Sequence, residues 1–117
     1  MPATVPTNGR IAWLDAVLLR LDANRTLLGR LLAEQLPKLR WTPPQASYLA
    51  WLDCRALDLG DDPAAVFLVR GRVALAPGVN YGPRSGVGHV RLNFGTSAEL
   101  VSAMVQRMAA TTTAPRH

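Results

Sequence analysis

The segment HVRLNFG, residues 89–95, alternates between polar and apolar side chains with the period of two that a half-buried β-strand shows. One face of this predicted strand carries Val90, Leu92 and Phe94. The opposite face carries His89, Arg91 and Asn93. This pattern is typical of a sheet that is covered on one side only. We therefore look for functional side chains on the polar face.

The sequence on both sides of this strand predicts amphipathic helices. Thr96 and Glu99 have the spacing of a capping box, which predicts that the terminal helix begins there. Its apolar stripe comprises Leu100, Val101, Met104, Val105 and Met108. A longer helix is predicted over residues 9–36, capped by Thr7 or Asn8 and ended by Pro37. Its stripe comprises Ile11, Leu14, Leu18, Leu21, Leu28, Leu32 and Leu36. Since a small domain cannot cover a helix of this length, we expect part of the stripe to contact another body.

The residues between the two helices predict a small sheet and one further helix. Short strands are expected at residues 39–42 and 73–76. Residues 47–54 have apolar side chains on both faces, which predicts a fully buried strand. Asp62 is expected to be the N-cap of a helix that continues to residue 70. The fold class is thus α/β, with two layers and a sheet covered on one face by helices.

Length and composition restrict the function. A chain of 117 residues is expected to form one domain, predicted at residues 9–110, between a disordered or unrelated start at 1–8 and a flexible tail at 111–117. The net charge is +5, but the arginines are spread along the chain, so we expect no nucleic-acid binding. The only cysteine, Cys54, precludes an internal disulfide and favours a cytoplasmic location. Neither an export signal nor an apolar run of about 18 residues is present, so no membrane contact is expected.

Familiar catalytic and metal-binding arrangements are not supported. Ser47 or Ser85 could be combined with His89 and Asp53 as a triad, but no nucleophile-elbow motif accompanies them. Neither His89 nor His117 has further ligands at metal-binding spacing. We therefore predict no catalytic residue and no metal site.

The glycine-rich stretch GPRSGVG, residues 82–88, also differs from the motif it suggests. It lacks the terminal Lys-Ser or Lys-Thr of a phosphate-binding loop, and no helix begins directly after it. A flexible turn is the simpler interpretation.

Arg91 is the strongest candidate for a binding residue. It lies in the middle of a strand, where a guanidinium can be held rigidly enough to bind a carboxylate through two hydrogen bonds. The residues alone also allow a simple solvated arginine on an outer sheet face. The pattern does not decide between the two.

Four segments taken together resemble a known family. They are RWTPPQASYLAWLDCRAL (residues 40–57), DPAAVFL (62–68), VALAPG (73–78) and HVRLNFGTS (89–97). In order and spacing they resemble the carboxy-terminal part of class I/II aminotransferases that depend on pyridoxal 5'-phosphate (PLP). The similarity is greatest to the cystathionine beta-lyase group typified by MalY and PatB, and it extends from Trp13 to Met108.

The resemblance has implications for fold and site. It implies the small domain of aminotransferase fold type I, with a short, mainly antiparallel sheet and a long helix that joins the small domain to a large one. Arg91 matches the family arginine that binds the α-carboxylate of the amino-acid substrate. Residues 43–48 would lie near the substrate side. The loop at residues 77–88 would lead into the arginine strand, although Tyr81 and GPRSGVG depart from the usual pattern.

The resemblance also implies a cofactor and partners. The family uses PLP, whose Schiff-base lysine and other binding groups belong to a large domain with no counterpart in these residues. Lys38, the only lysine, does not match the Schiff-base motif. The chain is thus expected to be a fragment that binds no cofactor and is inactive alone. The parent enzyme would act on a cystathionine-like amino acid, either as a lyase or as a transaminase. The alternative is an interaction module that docks through its long apolar helix onto a large domain or a second copy.

Overall fold

Four short strands form one antiparallel sheet in the computed structural model, which describes the backbone of residues 4–42 and 48–113 and the side chains of 12–42 and 48–112. The strands are β1 (Arg40–Thr42), β2 (Leu49–Asp53), β3 (Ala76–Pro77) and β4 (His89–Asn93). Their order across the sheet is β1-β2-β4-β3, and every neighbouring pair is antiparallel. The strand predicted from the alternation in residues 89–95 is therefore confirmed, and it occupies a central position.

One face of the sheet belongs to the core. Ala50 and Leu52 of β2 pair with Leu92 and Val90 of β4, and all four are fully buried. Helices α1 (Thr4–Gln35) and α3 (Ala98–Thr113) pack against this face and against each other. The remaining buried apolar residues of these helices include Leu28, Leu32, Leu36, Val101, Val105 and Met108. The α/β architecture with helices on one face of the sheet is confirmed.

Helix α1 is buried along only part of its length. It begins at Thr4, ahead of the predicted caps Thr7 and Asn8, so neither residue caps it. Its second half contributes to the core, whereas Leu14 and Leu18 in the first half are about half exposed. Asn24 lies between the two regions, is 2% exposed and donates hydrogen bonds to the carbonyl oxygens of Phe94 and Thr96. It therefore joins the helix to the end of β4.

Helix α3 begins one residue later than the capping box predicts. The hydroxyl of Ser97, not that of Thr96, accepts a hydrogen bond from the backbone N–H of Leu100. The helix continues to Thr113, into the range predicted as a flexible tail, and Thr111 is buried beside Gly71. This packing explains why the last turns remain helical. The predicted domain limits at residues 9 and 110 stay predictions, although a helix crosses each of them.

The connection between β2 and β3 differs from the predicted helix and strand. Helix α2 (Pro63–Val66) is capped by the Asp62 side chain as expected, but it widens into a π-helical turn at Phe67–Gly71. The backbone N–H of Val73 closes this turn on the Phe67 carbonyl, and Val73 itself is buried. The strand predicted at residues 73–76 therefore begins only at Ala76. Since Pro77 has no N–H group, its position on an edge strand is favourable.

The sequence pattern predicts that β2 is buried on both faces. In the structure only one of its faces is buried. Ala50 and Leu52 face the core, whereas Trp51 is 36% exposed on the other face. The residues of β2 and β4 on that face are partly buried or exposed, whereas those on the core face are buried. In the part of the chain that the structure describes, no helix is long and apolar enough to cross a membrane.

Candidate functional site

Polar and aromatic side chains lie in one row on the face of the sheet opposite the core. Across the sheet, Thr42 of β1 pairs with Trp51 of β2, Trp51 pairs with Arg91 of β4, and Arg91 pairs with Ala76 of β3. Paired residues of antiparallel strands point to the same side. Arg91 therefore lies between a large aromatic side chain and a small methyl group, at the middle of the accessible face.

The Arg91 guanidinium is held against an aromatic ring. Its central carbon, Cζ, lies 4.2 Å from the centre of the Tyr81 ring, which is within the range of a cation–π contact. Arg91 is half-buried, and it forms no ion pair with any carboxylate of the residues that the structure describes. Its charge is thus positioned but not neutralised within this part of the chain, which suits it to bind an external anion.

The loop that carries Tyr81 is closed by glycine contacts. A Cβ atom on Gly78 would lie 2.5 Å from the Gly86 carbonyl oxygen and 2.6 Å from that of His89. Only glycine permits this approach of two backbone segments. Three backbone hydrogen bonds reinforce it, including one of 2.8 Å from the Gly86 N–H to the Gly82 carbonyl. The stretch predicted as a flexible turn is therefore a closed, hydrogen-bonded loop.

Trp51 connects Tyr81 to His89. Its ring meets the Tyr81 ring edge to face, with the centroids 6.3 Å apart, and stacks on the imidazole of His89 at 5.1 Å. The Nδ1 atom of His89 is 2.8 Å from the Val87 carbonyl oxygen, which fixes the imidazole on its other side. We call these four side chains, His89, Trp51, Tyr81 and Arg91, the aromatic row.

A charged pair lies next to the aromatic row. Asp53 receives two side-chain hydrogen bonds from Arg55, at 2.9 and 2.8 Å. These bonds are the main reason that the pKa of Asp53 is lowered to about 2. The carboxylate is therefore ionised at neutral pH and already occupied by Arg55. The Nε2 atom of His89 is 3.8 Å from the nearer Asp53 oxygen, which is too long for a hydrogen bond.

The described residues form neither the Ser-His-Asp triad nor the metal site that were considered as alternatives. Asp53 and His89 are neighbours, but no hydrogen bond joins Ser85 to His89 in the described residues, and Ser47 and His117 lie outside them. Within the described ranges there is no group of three or more side chains that could hold a metal ion. Burial raises the pKa of the Cys54 thiol to about 12, so it is not a nucleophile.

The structure also shows where Lys38 lies relative to Arg91. Lys38 is exposed between α1 and β1, beyond the end of the sheet at which Arg40 pairs with Asp53. Arg91 belongs to the next row of the same face, across from Trp51. Lys38, the only lysine in the sequence, is thus not one of the side chains of the aromatic row, so the described residues bring no lysine beside Arg91 of the kind that a PLP site needs.

The sequence favours Arg91 as the candidate residue and does not indicate its two aromatic neighbours. Its pattern predicts a buried strand around Trp51, and Tyr81 stands out only as a departure from a family pattern. The alternation of Trp51 with Ala50 and Leu52 was a usable signal for its outward direction. The contact of Tyr81 with Arg91 depends on how the loop closes, which the sequence does not reveal. Of residues 43–48, expected near the substrate, only Tyr48 is described; its ring lies 3.0 Å from where a Cβ on Gly95 would be.

Comparison with known proteins gives a consistent result. No family model matches the chain. It is 45% identical over 113 residues to a protein of Mycobacterium tuberculosis provisionally assigned as a cystathionine beta-lyase, covering 82% of this chain and 28% of that protein. It is 37% identical over 99 residues to the cystathionine beta-lyase PatB of Bacillus subtilis, covering 84% of this chain and 25% of PatB. The chain thus spans about a quarter of the length of these curated relatives.

A solved structure supports the same relationship. A provisionally assigned PLP-dependent beta-cystathionase from Corynebacterium diphtheriae superimposes with a TM-score of 0.84 and 30% identity, over 91% of this chain and 28% of the other. The chain is therefore a homologue of the cystathionine beta-lyase group of MalY and PatB, and it has the fold of the class I/II PLP-dependent aminotransferases.

Proposed function

We propose that this chain contributes Arg91 as the residue that binds the α-carboxylate of an amino-acid substrate in a PLP-dependent C–S lyase or aminotransferase. The observation that carries the proposal is the position of the guanidinium. It is held on the Tyr81 ring at the middle of the accessible sheet face, without a carboxylate partner among the described residues. A planar guanidinium held in this way can bind a carboxylate through two parallel hydrogen bonds.

Binding at Arg91 would orient the substrate and neutralise its negative charge. It would not move a proton, because an arginine stays protonated at any pH compatible with folding. PLP, when bound by the family enzymes, supplies the electron sink for chemistry at the α-carbon. Since the described residues bring no lysine beside Arg91, we assign no chemical step to them. We accordingly propose that the isolated chain is not catalytic.

The names of the relatives support a cystathionine-like substrate for the whole enzyme. Cystathionine carries two amino-acid groups, so a residue that grips one carboxylate and leaves the other accessible is compatible with it. Lyase and transaminase activity share this carboxylate contact, because both begin by orienting an amino acid. Arg91 therefore supports the substrate class and does not distinguish the two reactions.

The proposal is tested by titrating the full chain with acetate and with L-alanine. The backbone amide resonances of β4 in a nitrogen–proton correlation spectrum report binding in every variant, and the Arg91 Nε–H resonance reports it in addition in the unchanged chain. A single bidentate ion pair of about 2–3 kcal/mol corresponds to a Kd on the order of 10 mM. Arg91→Met should abolish the binding, and Arg91→Lys should weaken it because a lysine lacks the planar fork. Methylammonium, a cation, should cause no shift.

Two results would contradict the proposal. The first is carboxylate binding that persists unchanged in Arg91→Met. The second concerns inactivity: incubation with PLP followed by borohydride should leave Lys38 without stoichiometric modification. Complete, site-specific fixation of PLP on Lys38, accompanied by release of thiol from cystathionine, would show that the chain is an enzyme by itself.

A second candidate function rests on the first half of α1. Trp13 is 69% exposed there, as is Leu19, and Leu14 and Leu18 are about half exposed. We propose that this surface docks onto a large domain of the family, supplied either in the same polypeptide or separately. Co-expression with such a large domain should give a stable complex that Leu18→Glu disrupts, whereas Arg20→Glu, at an exposed position on the same helix, should not. Equal retention of both variants would refute docking through the apolar residues.

A further inference from the structure

We infer that Tyr81 is a positioning residue for the carboxylate site, because its ring holds the Arg91 guanidinium in place before an anion binds. This inference rests on the proposed function of Arg91 and adds a second residue to it.

The first step concerns the faces of the guanidinium. The Arg91 Cζ atom lies over the Tyr81 ring, 4.2 Å from its centre, so the ring occupies one side of the guanidinium. The N–H groups of a guanidinium lie in its plane and point outward from its edge. The N–H groups that the ring does not cover stay available to a carboxylate, which can bind through two of them.

The second step concerns how Tyr81 itself is held. About half of the Tyr81 side chain is exposed, so burial alone does not fix its ring. The edge-to-face contact with Trp51, at an interplanar angle of 83°, restrains it from one side. Trp51 is in turn stacked on His89 at an angle of 15°. Such aromatic pairs contribute stabilisation beyond the area that they bury.

The third step concerns the backbone on which Tyr81 lies. Tyr81 ends the short 3-10 turn Gly78–Tyr81, and Gly78 is packed directly against Gly86. The next strand residue, His89, begins β4 and its N–H donates to the Gly86 carbonyl at 3.0 Å. The loop is thus tied to the same strand that carries Arg91. Tyr81 and Arg91 are held from a common support, as a preorganised site requires.

The expected effect follows from the strength of a partly exposed cation–π contact. Loss of the ring should weaken carboxylate binding about 2- to 5-fold, because Arg91 must then be ordered at the moment of binding. The hydroxyl group should matter little, since the ring and not the oxygen covers the guanidinium. Tyr81→Phe should therefore bind acetate as the unchanged chain does, while Tyr81→Leu should not.

The experiment uses the full chain with acetate as the probe and compares Tyr81→Leu, Tyr81→Phe and Arg91→Met. Two quantities are measured: the acetate Kd, and the ring-current shift of the Arg91 side-chain protons without ligand. We expect Tyr81→Leu to lose the ring-current shift and to raise the Kd about 2- to 5-fold. We expect Tyr81→Phe to retain both. Urea midpoints of the variants show whether the fold itself has changed.

The outcomes separate the two ideas. If acetate binds equally to Arg91→Met, the proposed function fails, and the ring-current shift alone then tests the position of Tyr81. If binding depends on Arg91 but Tyr81→Leu has the Kd of the unchanged chain, the role of Tyr81 is overturned while the role of Arg91 stands. If Tyr81→Leu lowers the urea midpoint, the fold has changed and its acetate Kd no longer reports on the position of Arg91 alone. Tyr81→Phe then decides, and an acetate Kd above that of the unchanged chain would overturn the inference.

Discussion

Replacing Gly86 by alanine tests whether the loop that carries Tyr81 is held by the approach of two glycines. The added Cβ atom would fall inside van der Waals contact of the Gly78 carbonyl group and 2.7 Å from the Gly82 carbonyl oxygen. All of these neighbours are backbone atoms, so no side chain can rotate away to make room. The loop must therefore open, which separates Gly86 from Gly78.

The expected cost follows from this geometry. Forcing a methyl group into a closely packed region costs about 1–3 kcal/mol. Opening the loop also weakens the hydrogen bonds from the Gly86 N–H to Gly82 and from the His89 N–H to Gly86. We expect the free energy of unfolding to fall by about 1–3 kcal/mol, since part of the strain is relieved by that opening. In a domain of this size the melting temperature would fall by about 4–12 °C.

Urea unfolding followed by tryptophan fluorescence measures this loss, and Trp51 reports on the region directly. Ser85→Ala is the matched control, because Ser85 is exposed in the same loop and its change should stay within about 0.5 kcal/mol. The Arg91 side-chain resonances should also move in Gly86→Ala, as Tyr81 shifts with its loop. If Gly86→Ala unfolds at the same urea concentration as Ser85→Ala, the closed loop does not contribute to stability and the reasoning is wrong.

Three further predictions concern other parts of the fold. Asn24→Ala leaves the carbonyl groups of Phe94 and Thr96 without their buried donor, and should lower the free energy of unfolding by about 1–3 kcal/mol in a urea titration; a loss no larger than that of the exposed variant Thr26→Ala would contradict this. Because Arg55 holds the pKa of Asp53 at about 2 in the folded chain, below its ordinary value of 3.8, the pair stabilises the fold above about pH 4, and this contribution disappears as the pH falls through about 2. The stability difference between the unchanged chain and Asp53→Asn should therefore shrink on acidification, and a difference independent of pH would refute the role of the pair. Since burial raises the pKa of Cys54 to about 12, a chromogenic disulfide reagent at about pH 8 should label the folded chain very slowly and the urea-unfolded chain completely; rapid labelling of the folded chain would be inconsistent with a buried thiol.

Local patterns predicted those parts of the fold that depend on neighbouring residues. The alternation around Arg91 predicted β4 and its two faces, and the Asp62-Pro63 pair predicted the start of α2. In each case the deciding feature lies within a few residues. In the strand it is the alternation of side chains between two faces, and in the helix it is a capping residue three positions before the N–H group that it binds. The sequence therefore predicts an element correctly where interactions between neighbouring residues determine it.

The errors arose where distant parts of the chain decide the outcome. Val73 pairs with the turn at Phe67 instead of joining the sheet, and Thr111 stays helical because it packs beside Gly71. The same holds for the candidate site. Arg91 could be chosen from its own strand, but Tyr81 reaches it only because Gly78 and Gly86 close a loop. A contact between backbone segments has no signature in residue periodicity.

The hydrogen bonds from Asn24 to the residues after β4 link the orientation of helix α1 to that of the strand. Trp13 lies 11 residues before Asn24, or about 17 Å along a helix that rises 1.5 Å per residue. The helix is continuous from Thr4 to Gln35, and Asn24 ties it to the residue that follows β4. If the helix and β4 rotated together by about 10° around Asn24, Trp13 would move by about 3 Å. A displacement of that size is large enough to break or make a side-chain contact at the far end of the helix.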